Sequence, residues 1–201
     1  AGVENATCDL TRLSFIFEEG MVVDVNGRRV KLPTSMTGGT KAFTVTNSAE
    51  RQGTLEVEVA SGQTAINTAM SIEGDIKLVK TGPGTFVSKI AQTYTGGTDV
   101  EAGTLRPADS PADNNYTYSG DNFSAFGTGA VNVLPGAVFN VRGNYAYTNI
   151  VLKGGTIANT FRSMSQTLKP GVFISSLADA DESYFNMRHA GQGKCSMIYG
   201  M

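Results

Sequence analysis

Tryptophan is absent from the chain, histidine occurs once and cysteine twice, and only 17% of the residues are charged, where about 25% is usual. Each shortage removes a class of chemistry. A Ser-His-Asp triad would depend on His189 alone, which is flanked by polar, glycine-rich chain and reads as a surface histidine. Cys8 and Cys195 stand at opposite ends of the sequence and fit neither a zinc nor a CxxC spacing, which leaves a disulfide and two inert thiols both open. No metal and no cofactor is expected. A net charge of -2 with a pI near 5.4 supplies no basic field for nucleic acid and no polybasic membrane anchor. No apolar run approaches the roughly 20 residues that cross a bilayer, so the chain is not expected to be membrane-embedded.

Clustered acids are scarce as well. A glycoside hydrolase needs a carboxylate pair, and a lyase needs acid-bound calcium beside a basic residue. The closest cluster, Asp179, Asp181 and Glu182, lacks the glycine and further ligands of a calcium loop and reads as a solvated acidic turn. Gly191-Gln192-Gly193-Lys194-Cys195 imitates a phosphate loop but fails it, with Arg188 in place of the first glycine and Cys195 in place of the magnesium-binding Ser/Thr. No catalytic residue is assigned, and the chain is read as no enzyme.

What the chain has in excess is glycine: 24 residues in 201, about 12% against a usual 7%. Gly-Thr recurs at 39-40, 53-54, 84-85, 97-98, 103-104, 127-128 and 155-156, with alternating apolar residues nearby, such as Leu55, Val57 and Val59, then Val131 and Val133, then Ile150 and Leu152. Glycine frees the backbone at a corner, and threonine opens the next strand with a β-branched side chain. Leu13, Phe15 and Phe17 alternate as in a strand. Asn26-Gly27, between Met21-Val22-Val23-Asp24-Val25 and Arg28-Arg29-Val30-Lys31-Leu32, predicts an antiparallel hairpin with a solvated basic face. The later corners are poor hairpin turns, which favours a coil of stacked rungs over an antiparallel sandwich. Residues 107–122 are too polar to form a buried rung and are expected to loop out, where binding functions often sit. Beyond 160 the glycine punctuation fades into a denser apolar segment, with one short helix allowed across Ser175 to Asn186.

The run Leu78-Val79-Lys80-Thr81-Gly82-Pro83-Gly84-Thr85-Phe86, then Tyr94-Thr95-Gly96-Gly97-Thr98 and Val100, then Ala102-Gly103-Thr104-Leu105, resembles the autotransporter-associated β-strand repeat of bacterial surface proteins. Lys80, Gly82, Gly84, Thr85, Tyr94, Gly96, Gly97, Thr98, Gly103, Thr104 and Leu105 carry the resemblance, with Phe86 where the family has leucine. It implies an all-β chain coiled as a right-handed parallel β-helix, a solenoid, at the bacterial cell surface or outside the cell, commonly as the passenger of a larger secreted protein. The repeat brings no catalytic residues with it. The chain departs from the family's usual setting in lacking a series of amphipathic strands with aromatic girdles that would close into a membrane barrel.

The expected division is thus an N-terminal strand and hairpin segment over 1–37, a parallel β-helix over 38–160, and a C-terminal cap or docking segment over 161–201. A parallel coil has two open ends with unpaired backbone groups that template another strand. Rungs of about 20 residues stacked about 4.8 Å apart give a coil about 35–40 Å long. If Cys8 and Cys195 lie at opposite ends, they can bridge only between molecules. The leading expectation is a non-enzymatic extracellular structural protein that associates with itself, head to tail, into a filament or matrix. The alternative is an adhesin passenger fragment that binds a glycan or a host surface protein.

Overall fold

The computed structural model describes residues 7–13, 20–37, 41–108, 124–141, 149–159, 173–176 and 184–187. They build a parallel β-helix with three sheets along its length. The largest has eight strands: β1 (Thr7–Asp9), β3 (Arg29–Leu32), β5 (Gly53–Glu58), β8 (Ile76–Thr81), β10 (Thr98–Val100), β12 (Val131–Val133), β14 (Asn149–Leu152) and β16 (Phe173–Ser176). A six-stranded sheet contains β6 (Thr64–Asn67), β9 (Thr85–Ser88), β11 (Thr104–Pro107), β13 (Val138–Asn140), β15 (Thr156–Asn159) and β17 (Tyr184–Met187). The third contains β2 (Met21–Asp24), β4 (Phe43–Thr46) and β7 (Met70–Ile72). A 3-10 turn at Thr34–Met36 follows β3.

Every described strand pair is parallel and joins strands of successive rungs. Val30 lies beside Leu55, Leu55 beside Leu78, and Leu78 beside Thr98, so rung length varies while the inward position is kept. A period of two explains why: one residue of slip would turn every core side chain outward. The inward rows are aliphatic and aromatic. In the six-stranded sheet, Ala65, Phe86, Leu105, Phe139 and Ile157 stack in register, buried. Each fully buried side chain of this size contributes about 1.5–3 kcal/mol of transfer free energy.

The third sheet is prolonged by backbone that is not strand. Thr93 donates to the Ile72 carbonyl at 3.2 Å and Thr95 to that of Gly74 at 2.9 Å, and the next layer follows with Gln92 N–H to Ser124 and Thr128 N–H to Tyr94. Phe126 from that layer meets Phe139 edge to face, with ring centroids 5.5 Å apart. The coil therefore keeps three walls after β7.

Two expectations are overturned. Asn26 and Gly27 do take positive φ, 46° and 65°, but the strands on either side do not pair with each other. β2 pairs with β4, and β3 with β1 and β5, all parallel. The turn is tight enough for a hairpin, yet it bends the chain from one wall of the coil to the next. The helix allowed across Ser175 to Asn186 is also contradicted at both ends, because Ser175 and Ser176 lie in β16 and Tyr184 to Asn186 in β17. Pairing of these strands with β14 and β15 supplies the backbone bonds that a helix would have made locally. Rung stacking consequently extends beyond residues 38–160 in both directions. Leu13 is not in a strand, and Phe15, Phe17 and most of the 107–122 stretch lie outside the described residues.

Candidate functional site

The residues singled out from the sequence gather at two kinds of corner, the turn after β8 with its counterpart after β10 stacked on it, and the turn that enters β10. At the first, Lys80 occupies an inward position of β8, between Val57 of β5 and Val100 of β10. A lysine there is unexpected, and it is completely buried. Its ammonium turns along the coil into the corner and donates to three carbonyl oxygens: Gly82 at 2.7 Å, Thr81 at 2.8 Å and Ala102 at 3.0 Å. All three N–H bonds of an ammonium are thereby used. Burial pushes the group down from 10.5 to about 8, with Glu58 partly opposing the shift.

Ala102 leads into the neighbouring corner one rung later, so the lysine ties two corners together. Gly103 fills the space between them. It has φ +66°, and a Cβ on it would run into the carbonyl oxygens of Gly84 and Gly82. Gly82 and Gly84 approach the Val59 and Ala60 carbonyls of the previous rung as closely. Thr85 and Thr104 then open β9 and β11 side by side, partly exposed, while Leu105 turns into the core.

At the second corner, Tyr94 and Thr98 are both fully buried, with their hydroxyl oxygens 2.6 Å apart. Burial raises the Tyr94 phenol well above its ordinary 10.0, the Thr98 hydrogen bond only partly offsetting this. Gly96 lies against the Ile76 backbone, its own N–H donating to the Ile76 carbonyl at 3.1 Å. Gly97 has φ +85° and turns the chain into Thr98. Thus all eleven residues that carry the sequence resemblance serve turning, stacking or core filling. The lysine and the tyrosine have no solvent access through which a substrate would reach them.

Side-chain amides do comparable work that the sequence reading missed. Gln92 accepts from the Ile72 N–H at 2.7 Å and donates to the Met70 carbonyl at 3.0 Å, so its amide stands beside β7 as a strand would. Asn67 closes a ring with both backbone groups of Met70, each bond 2.9 Å. Asn47 accepts from Gly27 N–H at 2.7 Å and donates to the carbonyls of Arg51 and Asp75, linking three rungs. The available signal was the residue type: a buried amide carries both donor and acceptor, as backbone does.

On the outer face of the eight-stranded sheet, charge alternates between rungs. Arg29 meets Glu56 at 2.8 Å and Lys31 meets Glu58, while Lys77 pairs with Asp99 at 3.2 Å and Asp99 accepts from Asn132 at 2.6 Å. The Glu58 carboxylate raises the Lys31 ammonium above its ordinary value. The basic face expected for Arg29 and Lys31 is therefore neutralised by the next rung, and the two carboxylates of β5 are both engaged by cations. Among the described residues, no three His, Cys, Asp or Glu side chains are placed to hold a metal ion.

The remaining feature is the N-terminal end of the coil. Thr7, Cys8 and Asp9 of β1 are all exposed at the beginning of the eight-stranded sheet. The exposed large hydrophobic residues among those described, Leu13 and Val22, lie close by in sequence, in the first rung. Cys195, Asp179, Asp181, Glu182, His189 and residues 191–195 lie outside the described residues, so the Cys8–Cys195 bridge is not placed. No protein-family model, curated protein or solved structure matches the chain.

Proposed function

We propose that this chain is a non-enzymatic extracellular structural protein, of the autotransporter-associated repeat type, whose copies associate end to end into a surface filament or matrix. The observation that carries the reading is the first rung: an exposed strand β1 at the sheet end with exposed Leu13 and Val22 nearby. A terminal strand templates another strand, and exposed valine and leucine in the same rung favour burial against another molecule. A heterologous contact between unlike ends does not close, and so it propagates. Electron microscopy together with reducing and non-reducing gel electrophoresis tests this. Filaments, with a ladder of disulfide-linked species when Cys8 and Cys195 bridge between copies, are the expected result; separate monomers under both conditions contradict it.

A second reading, an adhesin passenger that binds a glycan or host protein, rests on one rung of unusual length. Thr98 pairs with Val131, whereas its other partner, Leu78, lies only 20 residues before it. The surplus chain lies between β11 and β12, in the polar stretch where a binding loop is expected. Deleting residues 109–120, which spares buried Ala108, should then abolish binding to a glycan array or host-cell surface and leave the circular dichroism spectrum unchanged.

A further inference from the structure

The end-to-end reading leaves open how one copy holds the next, and the ladder of β1 bears on that. Cys8 is the β1 residue aligned with Val30 of β3, and Leu10 N–H donates to the Lys31 carbonyl at 2.9 Å. In a parallel ladder the residues that bond a given neighbour alternate. Cys8 and Leu10 therefore face β3, and the backbone N–H and C=O of Thr7 and Asp9 face away from it. Among the described residues, no strand pairs with that outer side, and all three residues of β1 are exposed. The Asp9 carboxylate is held back by Thr11, accepting from its N–H at 2.9 Å and its hydroxyl at 2.6 Å, so it shapes the following turn.

Among the described residues the same sheet has β16 as its last strand, which runs in the same direction as β1 because every pair between them is parallel. Resting on the proposed end-to-end association, we infer that β1 is the seam: the outward backbone groups of Thr7 and Asp9 pair with β16 of a second copy, and the eight-stranded sheet continues from molecule to molecule as one parallel sheet. Translation along the coil axis preserves the strand direction of all three walls at once. Placing two N-terminal ends face to face reverses it and sets β1 antiparallel to β1. The resulting filament is polar, and its growth depends on backbone groups more than on the β1 side chains.

The test compares the full-length chain with Thr7→Pro, which removes one outward N–H at the first described residue of a strand, where proline is tolerated and no β1–β3 bond is lost. Assembly is followed by sedimentation and electron microscopy, with circular dichroism as the check on folding. Backbone amide exchange at Asp9 in assembled and dispersed wild-type protein gives a reading that needs no variant. The inference expects Thr7→Pro to remain dispersed with an unchanged spectrum, and the Asp9 amide to exchange at least about tenfold more slowly in the assembly. If the wild type assembles with its Asp9 amide unprotected, the seam is overturned while end-to-end association stands, and assembly of Thr7→Pro at the wild-type level has the same meaning. A wild type that never assembles overturns the association and the seam together.

Discussion

The hydroxyl of Tyr94 lies 2.6 Å from that of Thr98, and both side chains are fully buried. This contact fixes a corner from inside the coil, and either partner alone would be a buried hydroxyl without its mate. Tyr94→Phe should therefore lower stability by about 1–2 kcal/mol, read from the denaturant midpoint. The phenol's raised pKa adds a pH signature. Stability from a group raised in the folded state is complete below its unfolded value, here 10.0, and declines above it. Wild-type stability should fall as pH rises past that value, and the fall should be shallower in Tyr94→Phe.

Lys80 carries the opposite sign. Its folded-state value of about 8 lies below the ordinary 10.5, so between these two the unfolded chain holds more protons. Its contribution to stability is present above 10.5 and lost as pH falls toward 8. Denaturant midpoints should rise with pH through that window until the Tyr94 effect takes over, and Lys80→Met should lack the rise. Near neutral pH the same variant leaves three corner carbonyls without their donor and should be less stable than wild type by about 2–4 kcal/mol.

Gly103 is hemmed in by the carbonyl oxygens of Gly84 and Gly82 at φ +66°. Gly103→Ala combines a left-handed conformation with direct overlap and should cost about 2–4 kcal/mol. Gly62 and Gly136 have similarly positive φ but open space around the missing Cβ. Alanine there should cost about 1–2 kcal/mol, the conformational part alone. Thermal melts of the three variants separate backbone strain from rung-to-rung contact.

Gln92→Leu removes the amide that satisfies both Ile72 N–H and the Met70 carbonyl. A side chain of comparable size does not replace those bonds, and the expected cost is about 2–4 kcal/mol. Amide exchange should locate the damage: the Ile72 amide becomes faster, while amides of β13 are unchanged.

The coil was legible in the sequence where local chemistry suffices. Gly-Thr at 53-54, 84-85, 97-98, 103-104 and 155-156 marks strand starts that the structure contains, because a corner needs glycine and the following strand suits threonine. Asn26-Gly27 misled because positive φ at two residues specifies a tight turn but not the wall that receives the next strand. Stacking against β4 and β5 decided that, and those contacts arise from residues 20 or more positions away. Ser175 to Asn186 misled through an apolar spacing that two short strands also satisfy. The purposes of Lys80, Asn67 and Gln92 were not legible, since each completes hydrogen bonds to backbone whose position exists only after the rungs are stacked. Open ends are expected of any parallel coil, but that β1, with Cys8, is the first described strand of the eight-stranded sheet required the pairing pattern.

Sedimentation velocity of the full chain over a wide concentration range tests the central claim most directly. Head-to-tail association predicts a series of species extending from the monomer to long assemblies, shifting to larger sizes as concentration rises. A single monomeric boundary that does not change with concentration would contradict it.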